Sequence, residues 1–315
     1  MKFGILASHQ FPQDANIKES IDGILGVVEY ARDLNYDSVF TINHFVANLQ
    51  TPQALSMTSK IIEISGRMQV GTGILILPLY HPVHIAEEFA TLDHLSGGRV
   101  VLGVGAGYRD EEYEAFGIPK SERGGRLKES IEIIKLLWTG EPVHYEGKYY
   151  QLNGQKIGLK PLTPGGPPLW VGAGARAAVE RAARLGDAWL TPGNTPNPDY
   201  FSKHLAIYDD ARREAGLTID GIERPIIKEL YVAEDPEEAR RHPAPDGLHE
   251  PRLPQRLQHR EGQGAQQHGD DAADRDRGDH VAGVRHRDPP PRPVEARSRR
   301  RRVRDPRGSG SRAAP

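Results

Sequence analysis

The chain has 315 residues, a formal net charge of −2, 27% charged residues and no cysteine. It therefore excludes a disulfide framework, a thiol nucleophile and thiolate metal sites. Its length suits one large α/β barrel or two ordinary domains, and no apolar stretch approaches the ~18 residues of a membrane span. The apolar part of the N-terminal MKFGILASHQ is too short for a signal peptide, so a soluble, cytoplasmic protein without a membrane partner is expected.

Lys2–Ala7 reads as a first strand, and Ile17, Ile21, Ile24, Leu25 and Val28 follow at helical spacing. Ser38–Ile42 is a second strand that runs into Asn43-His44-Phe45. Thr51 is expected to cap a helix that passes through Ile61 and Ile64, with Pro52 in its first turn. Gln69–Leu77 and Val100–Val104 are nearly continuous apolar runs, as strands of a sheet covered on both faces require. The helix between them starts at Pro82 and stops at Gly97-Gly98, which completes a βαβ unit. Gly124–Trp138 places Leu127, Ile131, Ile134, Leu137 and Trp138 on one helical face. His144–Leu152 alternates about Glu146-Gly147 and reads as a hairpin outside the repeat. Pro168–Gly172, Asp187–Leu190 and Ile226–Val232 are further strands, separated by helices at Arg176–Leu185 and Asp199–Ala215. This alternation argues for a parallel α/β barrel or a doubly wound sheet that lacks an eighth strand and helix.

Composition divides the chain into a foldable part, 1–240, and a tail, 241–315. The tail contains no Ile, Phe, Tyr, Trp, Met, Lys, Asn or Thr and is rich in Arg, Pro, Asp and Gly. It cannot bury enough apolar surface to offset its ordering entropy, so disorder is expected. Two origins compete: a natural low-complexity segment, and a reading frame shifted near Arg241–Pro243. The second is favoured because the helix beginning Pro236-Glu237-Glu238-Ala239-Arg240 breaks off without a stop signal. On that reading the chain is a frameshifted product whose barrel stays open, with exposed strand edges and low solubility. The basic run Arg297–Arg302 has no interleaved aromatic residue, and no nucleic-acid role is expected of it.

Several motifs sit where such a fold does chemistry, at the C-terminal ends of strands. Gly172-Ala173-Gly174-Ala175-Arg176 lies between a strand and a helix. There, small residues, backbone N–H groups, the helix N-terminus and a guanidinium suit a phosphate, although such turns also arise for steric reasons alone. His44 follows its strand directly and suits acid–base chemistry near neutral pH; a loop histidine bonded to a carbonyl is the alternative. His81 flanks a helix and His84 lies on it, and their i,i+3 spacing lacks a third ligand, so no metal site is expected. Gly103, Gly105 and Gly107 do not match a dinucleotide fingerprint; they are expected to clear space for a flat ring. Glu111 and Glu112 follow, either in the cavity wall or as a solvated helix start.

FGIL, Asn43-His44-Phe45, VGTGILILPLYHP, LDHLSGGRVVLGVGAGY, the Arg126…Glu129…Leu137-Trp138 helix and PPLWVGAGAR…AARLGDAWL occur in one order. Over residues 1–240 they resemble the bacterial luciferase-like monooxygenases, which are flavin- or F420-dependent. The resemblance implies a (β/α)8 TIM barrel with an insertion after its fourth strand, here incomplete at the C-terminus. It implies reduced FMN, or alternatively the deazaflavin F420, with the phosphate on Gly172, Gly174, Ala175 and Arg176. It places His44 in the active site, a non-prolyl cis peptide at Gly73–Ile74 behind the ring, and Gly105 and Ala106 beside it. Luciferase itself carries a reactive cysteine near Gly105 and this chain has none, so light emission is not implied. The activity implied first is a monooxygenase that uses reduced FMN and O2 on a small organic substrate, with a flavin reductase as partner. An F420-dependent dehydrogenase or reductase is the alternative, and a non-catalytic flavin-binding protein is a third. The resemblance allows a homodimer and leaves the substrate open.

Overall fold

The computed structural model describes residues 1–193, 199–228 and 235. All lie within Met1–Leu253, and the expectations placed on 241–315 lie outside the described residues. The strands are β1 (Gly4–Ala7), β2 (Ser38–Thr41), β3 (Gln69–Thr72), β4 (Leu75–Ile76), β5 (Val100–Gly105), β6 (Val143–Glu146), β7 (Gln151–Gln155), β8 (Leu169–Gly172), β9 (Ala188–Pro192) and β10 (Ile226–Ile227). The α-helices are α1 (Ile17–Asp33), α2 (Ala54–Ile64), α3 (Pro82–Ser96), α4 (Asp110–Ala115), α5 (Arg123–Trp138), α6 (Arg176–Leu185) and α7 (Asp199–Glu214).

The main sheet runs β1-β2-β3-β5-β8-β9-β10, with β4 beside β5 as the continuation of β3. Every pair in it is parallel. With the helices outside, this is a nearly closed (β/α) barrel. The residues expected beyond Lys228 in the last strand lie outside those described.

Alternation along each strand separates two cores, because successive side chains point to opposite faces. Val39, Val70, Val100, Leu102, Leu169 and Val171 pack outward against helix residues such as Ile61, Phe89, Ile131 and Val179. Val101, Trp170, Ala188 and Leu190 fill a second cluster with Phe40, Ile74 and Ile227. The rings of Phe40 and Trp170 stack there with centroids 5.1 Å apart. Gly71 makes that possible, since a Cβ on it would lie 2.7 Å from the Phe40 ring.

The apolar run Gln69–Leu77 is broken where the periodicity predicts continuity. The Gly73–Ile74 peptide is cis. Val70 pairs with Val100 but Leu75 with Val104, so the β3–β4 side carries one residue more than β5, which is a bulge. Helix α2 also starts later than expected. Thr51 does not cap it; its hydroxyl donates to the Leu49 carbonyl, and the extended Gln53 occupies the cap position without a side-chain bond. Gly97 ends α3 in the left-handed conformation, at φ 65°, as its position predicts.

The hairpin β6–β7 stands outside the barrel and is held by two acids of α5, of which Glu132 accepts from the Tyr145 hydroxyl at 2.6 Å. Glu129 accepts from the backbone N–H groups of Lys148 (2.8 Å), Tyr149 (2.9 Å) and Tyr150 (3.2 Å) in the connecting turn. Replacing Glu129 by Ala leaves these donors without their acceptor. It is expected to destabilise the protein by about 2–3 kcal/mol and to speed amide exchange in 147–150 before other segments; unchanged exchange there would contradict this latch.

Candidate active site

Asn43, His44 and Phe45 follow β2 after the single residue Ile42, at the C-terminal mouth of the barrel. Their partner is Glu112 of α4. One carboxylate oxygen, Oε1, lies 3.0 Å from His44 Nδ1 and accepts from the Phe45 N–H at 3.0 Å. Glu112 is wholly buried, and the His44 side chain keeps 19% exposure. Asp110, Glu111 and Glu112 start α4, where negative charge complements the helix N-terminus. Tyr113, next in the chain, is buried and donates its hydroxyl to the Ala106 carbonyl, which ties α4 to the end of β5. Glu111 instead is exposed beside Arg109. The two acids, both expected either in the wall or in solvent, thus divide, with Glu112 buried and Glu111 in solvent.

Asn43 turns inward. Its Oδ1 accepts from the Ile76 N–H at 3.0 Å, just past the cis peptide, so β2 and β4 are joined at the mouth. Asn43 Nδ2, Glu112 Oε2 and both ring nitrogens of His9 are buried without a hydrogen-bond partner among the described residues. His9 stands two residues beyond Ala7, which is in register with Thr41, two residues before Asn43. Burial lowers the His9 pKa below its ordinary value, and neighbouring His44 acts in the same direction. Burial pushes the Tyr80 phenol up to about 12, opposed by neighbouring Asn43.

The lowered His9 pKa has a testable sign. The unfolded chain takes up a proton near 6.5 that the folded chain refuses until lower pH. Stability is therefore fully present above that value and declines as pH falls toward the folded pKa. A His9→Asn variant should lose part of the fall in Tm seen in the parent between about pH 7 and 5; an unaltered pH slope would refute the assignment.

The remaining expected residues fall into two groups. Ile74 carries its side chain over Gly105 and Gly172, which are register partners in β5 and β8. A Cβ on Gly105 would lie 2.9 Å from Ile74 Cδ1, and one on Gly172 would lie 2.8 Å from Ile74 Cγ2. Gly103 and Gly107 likewise face Thr72 and Ile76. The β5 glycines thus make room for the bulged neighbouring strand. The second group is the turn Gly172-Ala173-Gly174-Ala175 into α6. No side chain caps α6, so its first N–H groups have no side-chain acceptor at the cap position. Gly174 O accepts from Tyr200 at 2.7 Å, and exposed Arg176 pairs with Glu180 one turn along at 3.0 Å. His81 Nδ1 accepts from Val83 N–H and so caps α3, while His84 is exposed on that helix.

The family model for luciferase-like monooxygenases matches residues 1–286, past the compositional boundary at 240. F420-dependent glucose-6-phosphate dehydrogenase of Amycolatopsis mediterranei is 34% identical over 224 residues, covering 68% of this chain and 67% of that one. The enzyme of the same name from Microbacterium testaceum is 35% identical, over 66% of this chain and 62% of its own. The chain therefore spans about two thirds of the length of these relatives. Among solved structures, monooxygenase RslO1 from Streptomyces bottropensis has a TM-score of 0.69 at 27% identity, covering 76% and 74% of the two chains. An F420-dependent secondary alcohol dehydrogenase shares the fold, with a TM-score of 0.65 at 24% identity over 76% and 72%. With a family model matched over residues 1–286 and solved barrels of this type sharing the fold, the chain belongs to the luciferase-like monooxygenase family.

Proposed function

We propose that the chain is an F420-dependent dehydrogenase that oxidises a small hydroxylated substrate. The names of the similar curated enzymes support F420 over the FMN and O2 chemistry that the resemblance puts first. The observation that carries the reading is the buried Glu112 carboxylate against His44 Nδ1. A carboxylate only accepts, so neutral His44 donates through Nδ1–H and presents the Nε2 lone pair. That atom is suited to take the hydroxyl proton as the carbinol carbon gives up hydride, and Glu112 then faces the imidazolium so formed.

The residues fit the cofactor. The buried, unpartnered polar atoms at the ends of β1, β2 and α4 and the uncapped start of α6 are groups that a polar ring with a phosphate completes. Gly73, Ile74, Gly105, Ala106 and Gly172 would lie at the ring, and Gly172, Gly174, Ala175 and Arg176 at the phosphate. When bound, F420 supplies a two-electron hydride acceptor.

The similarity to RslO1 supports a second reading, a monooxygenase supplied with reduced FMN by a reductase. Anaerobic incubation with oxidised F420 and either glucose 6-phosphate or simple secondary alcohols separates the two. The first reading predicts F420 reduction by at least one of them; O2 uptake with reduced FMN, and no F420 reduction, would reverse it.

A further inference from the structure

The mouth beside His44 carries apolar side chains that folding alone does not account for. Gly107, two residues past β5, is left-handed at φ 68°. Tyr108 follows, and its ring stands against the His44 ring in a T-shaped arrangement with centroids 6.2 Å apart. Despite that contact Tyr108 is 72% exposed. Val46, two residues beyond His44, is 61% exposed and has φ 42°. A β-branched residue is strained in that region, where glycine or asparagine fits at lower cost. A side chain so exposed gains little from burial to offset the strain. Phe116, just past α4, is also exposed and meets the Phe45 ring at 4.7 Å. Strain and solvent-facing apolar surface gathered at one acid–base histidine are features of a surface that a ligand covers.

The charges beside this surface narrow the kind of ligand. Asp110, Glu111 and Glu112 open α4, immediately after Tyr108 and Arg109. Lys120 pairs with Asp110 at 2.7 Å and Arg109 with Glu111 at 3.8 Å, so both of these cations are engaged, and Glu112 lies against His44. A phosphorylated substrate would bring negative charge toward these acids, which a neutral one does not. An apolar body gains by covering the Tyr108 ring and the Val46 methyl groups.

We propose that Tyr108 and Val46 wall the substrate side of His44 and select secondary alcohols with an apolar, ring-bearing body over phosphorylated sugars. This rests on the dehydrogenase reading above. The alcohol presents its hydroxyl to His44 Nε2 while its flat body lies along the Tyr108 ring, in the offset or edge-to-face contact that aromatic pairs favour. The substrate class then differs from the one that names the curated relatives.

The test is anaerobic reduction of oxidised F420 by the full chain with 1-phenylethanol, 2-propanol and glucose 6-phosphate. In the parent, kcat/KM for 1-phenylethanol should exceed that for 2-propanol by on the order of tenfold or more, with glucose 6-phosphate slowest. Y108A should lower the ratio of the two alcohols by about tenfold, and Y108F, which keeps the ring, should hold it within about twofold. A ratio taken on one preparation does not depend on how much of it is folded, so a folding defect cannot imitate this loss. V46G should lower the ratio by about threefold without lowering Tm, because the strained φ is relieved and little burial is lost. A Tm lower by more than about 3 °C would show that Val46 serves the fold and would overturn its part in the wall. An unchanged ratio in Y108A, or a parent that prefers glucose 6-phosphate, overturns the proposal and leaves the dehydrogenase reading in place. F420 left oxidised by all three substrates removes that reading and the wall together.

Discussion

Glu112→Gln is expected to lower kcat by on the order of 10²–10⁴-fold with little change in KM. The glutamine carbonyl still accepts from Phe45 N–H and His44 Nδ1–H, so the fold and the ring orientation survive. What disappears is the negative charge that steadies the imidazolium after His44 has taken a proton. Glu112→Ala is harsher, because it also leaves a buried backbone donor without its acceptor, at about 1–3 kcal/mol of stability. His44→Gln should match the loss in Glu112→Gln or exceed it. The decisive variant is the double one: if Glu112 acts only through His44, H44Q/E112Q is no slower than H44Q. Multiplying effects, or an E112Q enzyme with parental kcat, would show that Glu112 serves the fold alone.

Gly103→Ala should cost about 3 kcal/mol, seen as a lower urea midpoint at unchanged slope. A Cβ at this site would lie 1.8 Å from the Thr72 carbonyl oxygen, which is backbone and cannot rotate away. Either β3 and β5 separate or the bulge at Gly73–Ile74 shifts, and both disturb the mouth. Gly26→Ala in exposed α1 is the control, since nothing lies within 4 Å of its Cβ. It should gain about 0.5–1 kcal/mol through helix propensity. Equal stability of the two variants would mean that the close approach of β3 to β5 is not a packing constraint.

The elements that repeat were legible because each is announced locally. Pro82 and Gly97 bracket α3, and the Arg176–Leu185 helix occupies the residues its periodicity predicts. The hairpin follows from alternation about Glu146-Gly147, and its turn closes from Gly147 N–H to the Tyr150 carbonyl. The site was legible only in part. His44 announces itself by following a strand, but its partner is 68 residues away on a six-residue helix whose acidic start looks like any solvated one. No periodicity links residues so distant in sequence. His9 was silent for the same reason: a single histidine past a strand shows neither its burial nor its missing partners. The break at Gly73–Ile74 cannot be read from hydrophobicity, since the run stays apolar throughout; it came from the resemblance alone. The close approach of the neighbouring strand to the β5 glycines was not legible either, since only tertiary packing reveals it.

The central claim is that His44, backed by Glu112, takes the hydroxyl proton of a substrate whose hydride goes to F420. Its most direct test uses a substrate deuterated at the carbinol carbon, incubated with oxidised F420 while dissolved O2 is followed. The account predicts deuterium in the reduced cofactor, no O2 consumption, and loss of the transfer in H44Q. Oxygen consumed in step with product, with no deuterium in the cofactor, would contradict it.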